Sequence, residues 1–337
     1  MSEGPLRIGV LGAARITPAA LIWPAQSVSG VDVTCVAARD RGRAEDFARE
    51  HGIGAVLNDY AAVLGAELDA VYVPLPISAH LEWTVAALEA GLHVLCEKAI
   101  GCNANEAERM RDAAKANERV LMEAFHYRYH PLFGRVLSLV AAGAIGSVHR
   151  MAARFDVPHI KAPDIRLDYA TGGGALMDLG CYPLHWMRHV AGREPTITAA
   201  RAVVGPPDVD LVMEAEMTFA GATGLPAVEA SLHCSMDPSH AMAARLHVEG
   251  DAGEIEVINP IAPQMGHELR LSNAEGESRE QVDRTPTYTY QLEAFRDAVR
   301  GARTNLTDGD DAVANMRTID AIYDAAGLPR RGEPGRG

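Results

Sequence analysis

The chain has 337 residues, 48% hydrophobic and 23% charged, with a formal net charge of −14. That length predicts about two domains able to bury a core without disulfide or metal staples, and the negative balance argues against nucleic acid or an anionic membrane as partner. Five cysteines, Cys35, Cys96, Cys102, Cys181 and Cys234, are odd in number, scattered and without a CxxC pair, which fits a reducing, cytoplasmic setting.

Residues Met1 to Pro5 lack the basic and apolar regions of a signal peptide, and no apolar run approaches the roughly 18 residues of a membrane span. From Leu6 to Glu123, short apolar runs alternate with helical spacing, the pattern of βαβ units and a doubly wound parallel sheet. Strands are predicted at Leu6–Leu11, Val31–Ala37, Ala55–Leu57, Ala70–Val73, His93–Cys96 and Val120–Met122. Helical spacing marks Arg41–His51, His80–Ala90 and Asn105–Asn117, with Gly52 and Gly91 where C-caps belong.

The first strand runs into Gly12, Ala13, Ala14, Arg15 and Ile16, then Thr17 and Pro18. Thr17 is predicted as a helix N-cap and Pro18 as the first helical residue. A turn at Gly12 lets the backbone approach a pyrophosphate held by the following helix N-terminus, although Ala14 breaks the strict GxGxxG pattern; a plain tight turn is the alternative. The second strand ends in Ala37-Ala-Arg39-Asp40-Arg41-Gly-Arg43. An NAD-selective site usually has an acidic residue at this corner. Here Arg39 and Arg43 crowd it, and a guanidinium suits a 2′-phosphate, while Asp40 is better placed to cap the next helix. NADP is therefore preferred over NAD, with solvated surface arginines as the alternative.

Glu97 and Lys98 close the fifth strand at the sheet edge where ligands bind. A partly desolvated lysine beside a nicotinamide could exchange a proton with a substrate oxygen; a surface Glu97–Lys98 pair would explain the residues equally well. After the sixth strand come His126-Tyr127-Arg128-Tyr129-His130, where Tyr127 and Arg128 could line a sugar pocket or pack between domains.

Beyond Pro131 the rhythm changes to an α+β domain: a helix near Leu132–Ala142, a strand near Val148–Phe155, a Gly-rich turn and a helix near Tyr182–Val190. Strands at Ile197–Val204, Leu211–Phe219, Ala227–Cys234, Ala244–Gly250, Glu254–Ile258 and Glu268–Ser272 follow without helices between them, hence a large, mostly antiparallel sheet. That sheet, expected to be apolar on the face away from the cofactor, would suit a homodimer or homotetramer. Helices near Thr287–Arg300 and Asp310–Ala326 end the fold. The predicted domains are 1–124, 125–330 and a disordered tail, 331–337, too polar and Gly-rich to pack.

In Gly172–His185, helical spacing would put Asp178 and Tyr182 on one face with His185 close by, a carboxylate and a phenol able to hold polyol hydroxyls; a cap and a core residue would look the same. Cys181, His185 and His189 are spaced by four, but no fourth zinc ligand is suggested and no metal is predicted.

These residues, in this order and spacing, resemble the glucose–fructose oxidoreductase, inositol dehydrogenase and MocA (Gfo/Idh/MocA) family. The likeness runs from Arg7 to about Pro329, strongest at Glu97-Lys98 and Gly172–Tyr182, with weaker support from Tyr290-Gln291, Phe295 and Asn315–Tyr323. The resemblance implies NAD(P)-dependent hydride transfer at a carbinol or carbonyl carbon of a sugar, cyclitol, related polyol or dihydrodiol. It places the catalytic lysine on Lys98 and the Gly-rich segment's aspartate on Asp178. Tyr182, where inositol dehydrogenases carry His, looks like the branch of glucose–fructose oxidoreductase and dimeric dihydrodiol dehydrogenases, which favours NADP. Leu75 and His80, after the fourth strand, fall among the cofactor contacts. Ala99 stands where proline is usual, expected to loosen the peptide beside Lys98, and Ile77 where asparagine is usual. An NAD-recycling glycoside hydrolase and a non-catalytic NADP(H)-binding sensor remain as alternatives.

Overall fold

The computed structural model describes residues 4–206, 208–222 and 224–333, so residues 334–337 of the predicted tail lie outside the described residues. The chain divides into two units, Met1–Tyr129 with Pro286–Val313, and His130–Thr285 with Ala314–Gly337.

In the first unit, β1 (Leu6–Leu11) leads through a short π-helical turn, Pro18–Ile22, into α1 (Trp23–Ser27) and β2 (Val31–Ala37). Then come α2 (Arg41–His51), β3 (Ala55–Val56), α3 (Tyr60–Leu64), β4 (Ala70–Val73), α4 (His80–Glu89), β5 (His93–Cys96), α5 (Ala104–Ala116) and β6 (Leu121–Glu123). The six strands pair in parallel in the order β3-β2-β1-β4-β5-β6. Every residue of β4 is buried, as befits a central strand covered on both faces. Helices stop where left-handed glycines are available: Gly52 caps α2 at φ +70° and Gly91 follows α4 at φ +82°. Strand order reverses between β1 and β4, which makes their carboxyl ends the ligand-binding crevice of an open α/β sheet.

The second unit begins with α6 (Pro131–Ala141), β7 (Val148–Asp156) and α7 (Cys181–Ala191). Then follow β8 (Pro195–Gly205), β9 (Val209–Phe219), β10 (Val228–Ser235), β11 (Ala243–Gly250), β12 (Gly253–Ile258), β13 (Glu268–Asn273) and β14 (Gly276–Glu280). The sheet order is β14-β13-β12-β11-β7-β10-β9-β8, antiparallel except for β7 beside β10. Strand β14, Gly-Glu-Ser-Arg-Glu, is polar throughout and offers no apolar alternation to announce it.

Helix α8 (Thr287–Val299) returns to the first unit, where Leu292, Phe295 and Ala298 join the core of β1, β2 and β4. The boundary at residue 124 expected from sequence is thus replaced by a discontinuous one, because apolar residues far along the chain complete the first core. Helix α9 (Gly309–Ala325) runs across the division.

The open face of the large sheet also departs from expectation. Met151, Ala153, Phe155, Leu232, Cys234, Leu246 and Val248 are buried on one side, with α7 packed on β7 and β10. The opposite side carries Arg154, Glu214, Glu216, His233, Arg245, His247, Glu254, Glu256 and Arg270. Cross-strand pairs such as Arg270 with Glu256 (2.7 Å) and His247 with Glu254 (3.0 Å) lace it together. It is largely ionic, because strand period two sends most of the apolar set to the helix-covered side.

At the start of β5, His93 Nδ1 accepts from the Val120 amide at 2.9 Å. Burial first, and then the Arg119 charge, push its pKa down to about 4. A histidine held neutral in the folded state contributes stability above pH 6.5 that is lost as pH falls through about 4. The urea midpoint of His93→Asn, whose amide oxygen can accept the same bond, should change less between pH 6.5 and 4 than that of the wild type. Parallel curves would show that His93 is not the titrating group.

Candidate active site

In the first unit, Gly12 ends β1 at φ +113°, and its amide donates to the Ala37 carbonyl at 2.7 Å. A Cβ here would lie 3.1 Å from Leu75 Cδ2, so glycine is required both by its dihedral and by its neighbour. Ala13 and Ala14 are half-buried and Arg15 and Ile16 exposed. The Thr17 amide already donates to Ala14 O and the Ala20 amide to Ile16 O. Thr17 is consequently helical itself, buried, and makes no side-chain cap, contrary to the sequence expectation; Pro18 lies in the first turn as expected.

At the end of β2, the Asp40 carboxylate accepts from the Arg43 amide (2.9 Å) and caps α2. Arg41 is occupied by Glu45 and Asn58 at 2.8 and 2.6 Å. Arg43 reaches back to the Ala13 carbonyl (3.1 Å), and Arg39 is exposed. Burial raises the Tyr60 phenol while the charges of Arg39 and Arg43 pull it back. Its hydroxyl lies 3.8 Å from where a Gly12 Cβ would stand. Tyr60 therefore borders the same corner; nothing in its local sequence separates it from any first residue of a short helix. Two guanidinium groups beside an open glycine turn, with the neighbouring carboxylate engaged, fit a dinucleotide carrying a 2′-phosphate.

Lys98 follows β5 and is half-buried. Glu97 accepts from the Tyr72 hydroxyl at 2.6 Å, and its charge, after burial, raises both the Tyr72 and Tyr288 phenols. The loop after Lys98 is anchored at three points. His80 Nδ1 lies 3.0 Å from the Ala99 carbonyl, the Glu123 carboxylate accepts from the Ile100 amide (2.8 Å), and that of Glu106 accepts from the Cys102 amide (2.8 Å). The Lys98–Ala99 peptide is cis. Hydrogen bonding thus restrains the segment expected to be loosened by Ala99.

His80 itself is fully buried, and its Nε2 lies 2.8 Å from the Leu75 carbonyl. With main-chain oxygens at both ring nitrogens, it ties the Leu75 turn to the Lys98 loop and offers no ring nitrogen to a cofactor, which corrects its assignment as a direct contact. Burial lowers its pKa, although the two carbonyls act in the opposite sense. Tyr127 is likewise fully buried, edge-to-face with Phe125 at 6.3 Å; it is a core residue, not a pocket wall. Arg128 is half-buried.

In the second unit, the Gly172–Gly174 turn leads into a π-helical turn, Leu176–Gly180, that carries Asp178, and α7 follows with Tyr182. Asp178 Oδ2 is 3.2 Å from Arg166 Nε. Arg166 lies in a single 3₁₀ turn, Ile165–Leu167, whose approach to Asp178 depends on tertiary folding, so nothing in its local sequence singles it out. Tyr182 is 5% exposed and packs edge-on against Phe155 at 5.8 Å. His185 is fully buried, with its Nε2 3.2 Å from that of His189. Its expected contact with substrate hydroxyls is therefore not available in this arrangement.

A family model described as an oxidoreductase family with an NAD-binding Rossmann fold matches residues 6–125, and the GFO/IDH/MocA C-terminal domain matches residues 133–256. The chain is 34% identical over 325 residues to a D-xylose 1-dehydrogenase (NADP(+)) of Haloferax volcanii, covering 95% of this chain and 97% of that protein. It is 32% identical over 333 residues to a dTDP-3,4-didehydro-2,6-dideoxy-alpha-D-glucose 3-reductase of Streptomyces violaceoruber, covering 96% of each. Among solved structures, a 3-ketoreductase from Actinomadura kijaniata in complex with NADP and TDP-benzene superposes with a TM-score of 0.88. That pair shares 28% identity over 96% of this chain and 98% of the other.

Replacing His80 with leucine leaves a buried carbonyl without its ring donor, a cost of about 1–3 kcal/mol. His80→Leu should lose that much stability in urea unfolding, and His80→Gln, which keeps an amide donor, should lose less. Equal losses would mean that packing alone explains the residue.

Proposed function

Because the chain belongs to the Gfo/Idh/MocA family of oxidoreductases, we propose that it is an NADP-preferring dehydrogenase or reductase. Its substrates would be CH–OH or carbonyl carbons of a sugar, cyclitol, related polyol or dihydrodiol. The observation that carries the cofactor preference is the Arg39–Arg43 corner, with Asp40 committed to its helix cap. Gly12 to Ile16 would hold the pyrophosphate, and Leu75 would border the same crevice through its contact with the Gly12 position. When bound, the nicotinamide supplies or accepts the hydride.

Lys98 Nζ would exchange the proton of the reacting hydroxyl. Its loop is held by Glu123, Glu106 and His80, so the amine is offered from a fixed backbone, which is what positioning requires. The Tyr182 hydroxyl would donate to a substrate hydroxyl. The carboxylate of Asp178 and the guanidinium of Arg166 together present an acceptor and a donor to vicinal hydroxyls. Arg128 would add a further donor. The relatives named for D-xylose and for a dTDP-linked keto sugar are consistent with this substrate class.

Two experiments test the reading. Arg39→Asp should weaken NADP(H) relative to NAD(H) by roughly 10- to 100-fold in a binding titration, the magnitude of one lost charge-assisted contact; an unchanged ratio would remove the corner from the argument. With aldoses, cyclitols and dihydrodiols screened at 340 nm, Lys98→Met should lower turnover by about 10²–10⁴-fold while dinucleotide affinity holds. Near-normal turnover in that variant would rule out the proton role.

A further inference from the structure

Arg331, expected from sequence to belong to a frayed tail, is only 1% exposed. Its Nε donates to the Gly173 carbonyl at 2.6 Å, its Nη1 to the Pro329 carbonyl at 3.2 Å and its Nη2 to Asp210 Oδ1. The guanidinium carbon stands 4.6 Å from the Tyr169 ring centre and 4.5 Å from that of Tyr323. Asp210, itself fully buried, also accepts from the Tyr323 hydroxyl (3.0 Å) and the Leu176 amide (2.7 Å). One carboxylate therefore gathers the C-terminal segment, α9 and the first residue of the π-helical turn bearing Asp178. The Tyr169 hydroxyl adds a tether by donating to the carbonyls of Arg330 (2.9 Å) and Glu333 (3.2 Å).

The glycines of this turn are shaped by the same contacts. A Cβ at Gly174, whose φ is +132°, would lie 2.3 Å from Asp210 Oδ1 and 2.7 Å from Arg331 Nη2. A Cβ at Gly173 would lie 2.5 Å from the Arg166 carbonyl. The Gly174 amide donates to that carbonyl at 2.9 Å, and the Arg166 side chain meets Asp178. Displacing the guanidinium would thus release Gly173 and Gly174 and, through them, both members of the Arg166–Asp178 pair.

We propose that Arg331 is a positioning residue for the substrate-binding groups: docked by Asp210, it fixes the Gly172–Leu176 turn and so sets the places of Arg166 and Asp178. The proposal rests on the reading of Asp178 as a substrate-binding carboxylate. A guanidinium is needed because its planar fork serves three acceptors in three directions, whereas an ammonium is a single point charge.

The test compares wild type with Arg331→Lys, which keeps the charge opposite Asp210, and with Tyr169→Phe, which removes only the tether and serves if the lysine variant does not fold. Amide hydrogen exchange across residues 172–182 should speed at least tenfold in either variant, with β1 to β5 unchanged. The KM for D-xylose with NADP(+) should rise about tenfold while NADP(H) affinity stays within twofold. Wild-type exchange in that segment overturns the clamp, and faster exchange with an unchanged KM overturns its link to the substrate groups. If the wild type is inert on D-xylose, the KM is read with a substrate found in the aldose, cyclitol and dihydrodiol screen; if it turns over none of them, the substrate reading is what has failed, and the exchange comparison alone decides whether Arg331 fixes the turn.

Discussion

The pairing of β1 with β2 on one side and β4 on the other is the constraint from which the site in the first unit follows. Parallel ladders on both edges of Leu6–Leu11 force the chain to leave in opposite directions on the two sides of the sheet, so the loops after β1 and β4 part instead of covering one another. Gly12, the Arg39 corner, Leu75 and Lys98 all follow strand carboxyl ends for that reason. Helix α8 reinforces the same sheet from far along the sequence, with Leu292 and Phe295 buried in its core.

Around that edge, the loops are held by side chains reaching main-chain groups: His80, whose single N–H serves one of the two carbonyls beside its ring, and Glu123 and Glu106 at two amides. Such bonds satisfy groups that would be costly to leave bare in a buried loop. They also restrain the backbone that follows Lys98. The second unit uses a different device for a similar end. There an irregular glycine turn is fixed by a buried ion pair, Asp210 with Arg331, whose partners come from β9 and from beyond α9.

Regular elements were legible because burial imposes a period. Apart from α3 and β14, the alternation of strands and helices up to Glu123, and the run of strands after residue 195, follow the apolar pattern to within a few residues at each end. Lys98, Asp178 and Tyr182 stood out by their place at element ends. What escaped was whatever depends on the chain folding back: Tyr60 beside Gly12, Arg166 beside Asp178, α8 in the first core and Arg331 in the second. His80, His185 and Tyr127 are more enclosed than the sequence suggested, for a related reason. Their chemistry is visible in the sequence, but their burial is not. The ionic open face shows the converse. An apolar open face was expected, yet the face the apolar residues occupy is set by strand period and by α7.

The net charge of −14 bears on the cofactor corner. At physiological ionic strength the screening length is about 8 Å, so the field of distant carboxylates fades while charges in contact with a phosphate do not. A nucleotide held at the proposed corner would therefore meet the local set: Arg39, Arg43 and an exposed Arg15, with Asp40 turned into a helix cap. Overall repulsion then works as a filter. It disfavours polyanions whose phosphates must lie along a broad surface, and leaves nearly untouched a ligand whose few charges all fall within reach of these guanidinium groups.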